Sequence, residues 1–315
     1  MNIGLDIMGG DHAPDATIKG AIKALESIDE TDRIYLFGDE TIITSKLKEN
    51  NIDPASFEIV HAPDMIGMSE QPIKAFKLKP QSSISKGFQY LKAGKIDAFA
   101  SAGNSGAMVV GSMYSVEMIQ GILRPCTTVV VPQENGGSTF LLDIGTNPDP
   151  KPEVMYQFGI LGSFFARYVY NVDNPRVGLL NIGHEEEKGN ILTQATYKLM
   201  KGSKHFNFVG NVEGRDIMHD TADVIVCDGF TGNVILKQLE SMYHLLKKRN
   251  LYDEFVERMN YENFGGTPIL GIKSTVVVGH GISNDNAIKN MILLTKNVHE
   301  ANLSLKIQDE LQKHS

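Results

Sequence analysis

Short apolar runs recur along almost the whole chain, each closing on a Gly- or Asn-rich segment and followed by a stretch of helical periodicity. That alternation is the pattern of a mainly parallel sheet, because parallel neighbours need crossover connections and strands buried on both faces read as continuous apolar runs. The predicted class is α/β with three layers, helices covering both faces of the sheet. Strands are expected at Asn2 to Met8, Arg33 to Phe37, Phe57 to His61, Asp97 to Ser101, Thr127 to Val131, Thr139 to Ile144, Arg176 to Ile182, Phe206 to Gly210, Asp223 to Cys227 and Ser274 to Val278. Helices are expected at Asp15 to Ile28, Ser83 to Ala93, Val154 to Tyr170, Ile191 to Lys201, Asn233 to Arg249 and Ala287 to Gln312. The stretch VVVPQENGGSTFLL places two strand-like runs around a Gly-Gly turn and predicts an antiparallel hairpin.

At roughly 150 residues per domain, 315 residues predict two lobes, and no low-complexity or Pro-rich linker divides them. The domain expectation is therefore a single unit over 1–315 built of two interleaved lobes. A formal charge of -8 argues against a sequence-wide attraction to nucleic acid. Cys126 and Cys227 both lie in apolar runs, which predicts buried thiols in a reducing compartment rather than a disulfide framework. The opening MNIGLDIMGGDHAP lacks a basic segment followed by an apolar one, so a cytoplasmic protein is expected. Val154 to Tyr170 is shorter than the ~20 apolar residues of a membrane span and contains Gln157 and Arg167, so it is expected to be a core helix.

In open α/β sheets ligands sit beyond the carboxyl ends of the strands, where helix N-termini and loop amides attract anions. Those ends here read Gly9 to Pro14 (GGDHAP), Gly103 to Gly106 (GNSG), Gly145 to Asn147 (GTN), Gly183 to Gly189 (GHEEEKG), Gly210-Asn211 and Asp228 to Asn233 (DGFTGN). Together they suggest a rim of backbone donors and amides for a phosphate-sized anion. Candidate residues on it are Asp11, His12, Asn104, Ser105, Asn147, Lys188, Asp228, Asn233 and His280. Several have a plain structural alternative. Asp11 and Pro14 suit a helix start, Ser105 suits a helix cap better than a nucleophile, Lys188 among acids could be a solvated lysine, and His280 could be a satisfied histidine. Asp216, Asp220 and Asp223 have the i, i+4, i+7 spacing of an acidic helix face, and a solvated face explains them better than a divalent site. No G-x-G-x-x-G and no G-x-x-x-x-G-K-[ST] is present, which disfavours a Rossmann dinucleotide site and a P-loop.

Taken in order, DIMGGDHAP (6 to 14), SAGNSGA (101 to 107), LLDIGTN (141 to 147), RVGLLNIG (176 to 183), EKG (187 to 189), GNVEGRD (210 to 216), DGFTGNVILK (228 to 237), NFGG (263 to 266) and HGIS (280 to 283) strongly resemble bacterial phosphate acyltransferase. The resemblance runs nearly end to end. It implies transfer of an acyl group from acyl carrier protein to inorganic phosphate. The acyl phosphate would serve a membrane glycerol-3-phosphate acyltransferase in phosphatidic acid and phospholipid synthesis. It also implies an isocitrate/isopropylmalate dehydrogenase-like fold of two lobes and a cleft, a homodimer, and neither dinucleotide nor metal.

Ser105 stands where Thr is expected for that family, which fits a cap or phosphate donor rather than a nucleophile. Peripheral membrane contact would involve Leu239, Met242, Leu246, Phe255, Val256 and Met259 beside Lys247, Lys248 and Arg249, although a stripe buried in the core or a dimer interface is the stronger expectation. The catalytic candidates are His12, Asn233 and His280. The cluster Lys74, Lys77 and Lys79 is the candidate docking patch for an acidic carrier protein. Two rival functions remain open: a metal- and NAD-dependent decarboxylating dehydrogenase on the same fold, and a noncatalytic carrier-protein-binding module.

Overall fold

The computed structural model describes residues 1–313. The chain divides into two compact units, Met1–Met118 with Tyr261–Ser304, and Ile119–Asn260 with Leu305–Ser315. In chain order the first unit holds β1 (Asn2–Asp6), α1 (Asp15–Leu25), β2 (Arg33–Gly38), α2 (Glu40–Glu49), β3 (Glu58–His61), α3 (Pro72–Leu78), α4 (Ser83–Lys92), β4 (Ala98–Ser101) and α5 (Ser105–Gly111). The second unit holds β5 (Cys126–Pro132), β6 (Ser138–Leu142), α6 (Pro152–Val169), β7 (Arg176–Asn181), α7 (Ile191–Met200), β8 (Asn207–Glu213), β9 (Val224–Val226), α8 (Gly229–Lys248) and α9 (Glu254–Arg258). The chain then returns to the first unit with β10 (Thr267–Leu270), β11 (Thr275–Val278) and α10 (Asp285–Glu300), and ends in α11 (Leu303–Lys313).

The first unit's strands are ordered β3-β2-β1-β4-β11-β10, all parallel except the antiparallel β10–β11 pair. Strand alternation assigns the faces. Phe37 of β2, Val60 of β3 and Phe99 of β4 point into one cluster with Ala75 of α3, Ile84, Phe88 and Leu91 of α4 and Ala107 of α5. Gly87 is required there, because a Cβ would lie 2.2 Å from the Phe99 ring. Helix α10 packs on β1, β4 and β11, and against α1, where Gly20 lies on Ile288.

In the second unit the order is β5-β6-β9-β7-β8, with β5–β6 antiparallel and the rest parallel. Leu141 and Ile225 face Ile235, Leu236 and Leu239 of α8. Their neighbours Leu142 and Val224 face α6, where Gly162 permits close approach. Helix α6 is buried along most of its length, as expected of a core helix, and no helix among the described residues is long and apolar enough to cross a membrane.

The expected hairpin is present, Val130 pairing with Phe140 across five residue pairs. Three corrections concern elements. The final expected helix is two: α10 stops at Glu300 and the chain turns through Asn302 at φ 51, a left-handed conformation that asparagine tolerates. Helix α8 begins at Gly229, not Asn233, because the Asp228 carboxylate caps it by accepting the Thr231 N–H and hydroxyl. The segment holding Lys74 and Lys77, where no helix is expected from the sequence, is α3, capped by the Gln71 side chain.

Candidate active site

The carboxyl ends of the parallel strands carry Gly- and Asn-rich loops in both units, with one correction: Gly210 and Asn211 lie inside β8 and not after it. In the first unit the loops after β1, β4 and β11 meet backbone to backbone. The Asp11 N–H donates to the Gly281 carbonyl at 2.7 Å. A Cβ on Gly10, at φ +109, would lie 3.2 Å from that oxygen, and one on Gly9 would lie 2.7 Å from the Gly103 nitrogen. Asp11 and His12 are exposed on this rim, while His280 is half-buried, its ring tilted against Tyr261 and its Nδ1 accepting the Ile282 N–H at 3.4 Å.

Asn104 has a structural task. Its Oδ1 caps α5 through the Ala107 N–H at 2.9 Å, and its Nδ2 donates to the carbonyls of Gly67, Met68 and Glu70. The side chain therefore anchors the 67–70 segment and has no donor left for an anion in this arrangement. The cap expected at Ser105 is thus supplied by Asn104, and Ser105 is exposed at the first helical position.

In the second unit the loop after β6 is organised by Asp143, which is fully buried. Its Oδ1 accepts the Thr127 N–H and hydroxyl, each at 3.1 Å, and the Thr146 N–H. Its Oδ2 accepts both the backbone N–H and the side-chain amide of Asn147. The Asn147 amide also donates to the Pro125 carbonyl, and Asn233 Nδ2 donates to the Ile144 carbonyl at 3.1 Å. Gly229 and Gly232 let α8 close on this loop. Asp228, a candidate ligand, is engaged as the cap of α8.

The loop after β7 is pinned by Gly189 at φ +93, where a Cβ would lie 2.3 Å from Asn181 Oδ1, and by Asn181 donating to the Lys188 carbonyl. Asn211 ties it to β8 by donating to the Glu185 carbonyl. Lys188 is exposed and its stem lies against Gly183. If it meets phosphate, Lys188→Ala will remove one charge-assisted bond of about 1.5 to 3 kcal/mol. The expected result is a tenfold or greater loss in phosphate use by a folded protein, measured as kcat/KM for phosphate; an unchanged phosphate dependence removes Lys188 from the site.

The structure separates other candidates by environment. Both cysteines are buried. Burial, helped by the charge of Asp143, pushes the Cys126 thiol well up, and burial with Asp228 and Asp143 does the same at Cys227. Neither is poised as a nucleophile. Asp220 and Asp223 pair with Arg176, and Asp216 accepts the Glu213 N–H in a short capping turn, so the three aspartates do not form one acidic face. No group of three or more His, Cys, Asp or Glu residues that could hold a metal occurs among the described residues. Lys79 is held by Glu70 at 2.7 Å and by the Met65 carbonyl, whereas Lys74 and Lys77 are exposed on α3. The 239–259 stripe splits: Leu239, Leu246, Phe255, Val256 and Met259 are buried or half-buried, and Met242 is exposed.

The solved structure of a phosphotransacetylase from Streptococcus pyogenes resembles this one with a TM-score of 0.67 at 12% identity, covering 95% of this chain and 94% of that one. A 4-hydroxythreonine-4-phosphate dehydrogenase from Klebsiella pneumoniae gives 0.54 at 14% identity, covering 94% and 97%. These likenesses define a mixed α/β fold with a mostly parallel sheet, used by phosphotransacylases and by a dehydrogenase alike. The sequence relationship is narrower. The model of a family described as fatty acid synthesis protein matches residues 1–250. The phosphate acyltransferase of Thermoanaerobacterium thermosaccharolyticum is 42% identical over 331 residues, covering 99% of this chain and 97% of that protein. The chain belongs to the phosphate acyltransferase family, a family of acyltransferase enzymes.

Proposed function

We propose that the protein transfers a fatty acyl group from acyl carrier protein to inorganic phosphate, giving an acyl phosphate for phosphatidic acid synthesis. The observation that carries this reading is the family match across 99% of the chain. It is supported by the amide- and glycine-rich strand ends. The chemistry asks for little more. Phosphate near neutral pH is already anionic, and a pantetheine thiol leaves with a pKa near the ~8.5 of a cysteine thiol, so positioning and charge stabilisation can carry the step. A phosphate oxygen attacks the thioester carbonyl, the carbonyl becomes a tetrahedral oxyanion, and its collapse expels the thiolate. Of the candidates in the second unit, Lys188 is assigned to the phosphate and the amide donors of the DGFTGN loop, including Asn233, to the oxyanion, while Asn147, whose backbone and side-chain N–H groups donate to Asp143 and Pro125, holds the loop. His12 or His280 is the alternative donor to the oxyanion, with Asp11 and Ser105 as further polar candidates on the same rim. An isopropylmalate-dehydrogenase-like classification and a homodimer belong to the same reading. The test is phosphate-dependent thiol release from acyl carrier protein thioester with trapping of the product as a hydroxamate; hydride transfer to NAD with magnesium instead would support the dehydrogenase rival.

The acidic carrier must approach a chain of formal charge -8. Lys74 and Lys77 on α3, flanked by exposed Ile73 and Leu78, are the proposed docking cations. Exposed ion pairs contribute about 0.2 to 1 kcal/mol each, so reversing both lysines to Glu is expected to lower carrier-protein kcat/KM roughly tenfold at low salt. That deficit should shrink as salt screens the steering. Wild-type efficiency and salt slope in the variant would move docking away from α3.

A further inference from the structure

Asp6 and Ser101 are the last residues of the neighbouring strands β1 and β4, one step beyond the paired Leu5 and Ala100, and both are fully buried. Asp6 Oδ2 accepts the Ser101 hydroxyl at 2.6 Å, and Oδ1 accepts the Met8 N–H at 3.0 Å. Ser101 Oγ in turn accepts the Gly103 N–H at 2.9 Å. The backbones of Gly9 and Gly103 meet over the pair: a Cβ on Gly9 would lie 2.3 Å from Asp6 Oδ2. With no exposure, Asp6 cannot touch a substrate. A carboxylate is also a poor choice for packing alone, since an apolar side chain of similar size is usually at least as stabilising. What it offers is two acceptor oxygens, one holding the β1 loop through the Met8 N–H and the other holding the β4 end through Ser101.

We propose that Asp6, with Ser101, is a positioning residue for the transfer reaction, fixing the loop that carries His12 against the loop that carries Ser105. The inference rests on the acyl-transfer reading for its kinetic consequence, though not for its structural one. Burial raises the Asp6 pKa and its hydrogen bonds work against that rise. Asp6→Asn keeps the volume but turns an NH2 group toward donors, which tests the hub without opening a cavity.

The variant is assayed for acyl phosphate formation, alone and combined with His12→Ala. A misplaced reacting group can lose about 100-fold, and that is the expected fall in kcat for Asp6→Asn in a protein whose circular dichroism is unchanged. In the His12→Ala background the same substitution should cost less than about threefold, because the group it positions is already gone. A retained kcat, or equal losses in both backgrounds, overturns the proposal. If Asp6→Asn does not fold, Ser101→Ala removes one donor and should lower kcat about tenfold with the same masking by His12→Ala; no loss there overturns it equally. Should the wild type make no acyl phosphate, the functional reading fails by itself and amide exchange decides this one. Faster exchange at Met8 and Gly103 in the variant supports the hub, and unchanged protection overturns it.

Discussion

Gly232→Ala is expected to destabilise the second unit by about 3 kcal/mol or more, at the upper end of what overpacking costs, and to abolish most activity. A Cβ at this position would lie 1.9 Å from the Asp143 carbonyl oxygen and 3.0 Å from the Cys227 sulfur. The first of these is backbone and cannot rotate away, so either α8 lifts or the Asp143–Asn147 loop shifts. Both movements displace Asn233 from the Ile144 carbonyl and alter the candidate anion site. Gly202→Ala is the control, because nothing lies within 4 Å of the place its new methyl group would occupy. Thermal melts and acyl phosphate assays of the two variants check the expectation. A Gly232→Ala protein with wild-type melting and activity would show that the close approach of α8 is not needed.

Lys296→Met is expected to cost about 3 to 5 kcal/mol, the usual effect of removing one partner of a buried pair. Lys296 is 9% exposed, and its Nζ lies 2.5 Å from Asp32 and pairs with Asp29. Asp32 also accepts the Met1 amino group at 2.9 Å. Burial acts to raise the Asp32 pKa, but Lys296, the amino group and the Asp29 N–H outweigh it and hold the carboxyl below its usual range. A carboxyl depressed in the folded state contributes stability that is complete above its unfolded pKa, about 3.9, and is lost as pH falls through the folded value. The wild type should therefore lose stability in acid through this group, and the variant, having already lost the pair, should show a flatter dependence below about pH 5. Equal acid slopes in the two proteins would mean that Asp32 does not need Lys296.

Much of this architecture can be read from the sequence, because buried parallel strands leave continuous apolar runs that period alone detects. The expected strands and the hairpin lie within a few residues of where alternation puts them. Strand β10 escapes such a reading, since TPIL is short, contains Pro268 and pairs with β11 over only two residue pairs. The polar α2 and the short α5, rich in glycine, likewise lack a strong helical period.

The site is legible in its loops but not in its supports. Gly, Asn and His after strand ends announce a rim, yet Asn104, Asn147 and Asp228 are engaged in holding the backbone, which only the folded chain can show. Asp6 and Asp143 read as ordinary strand-end acids. The available signal is their setting, GLDIM and LLDIG, where a charge amid apolar residues must find several donors if it is buried. Those donors include Ser101, 95 residues from Asp6, and Thr127, 16 residues from Asp143, so the pairing needs the strand register.

The most direct test of the central claim uses phosphate labelled with oxygen-18 in every position, together with acyl carrier protein thioester, and reads the mass of the acyl phosphate formed. Direct attack by a phosphate oxygen on the thioester carbonyl makes the bridging oxygen a phosphate oxygen. The account therefore predicts a product that retains all of the label. A product lacking label at the bridge, or thiol release that yields only free fatty acid, would contradict it.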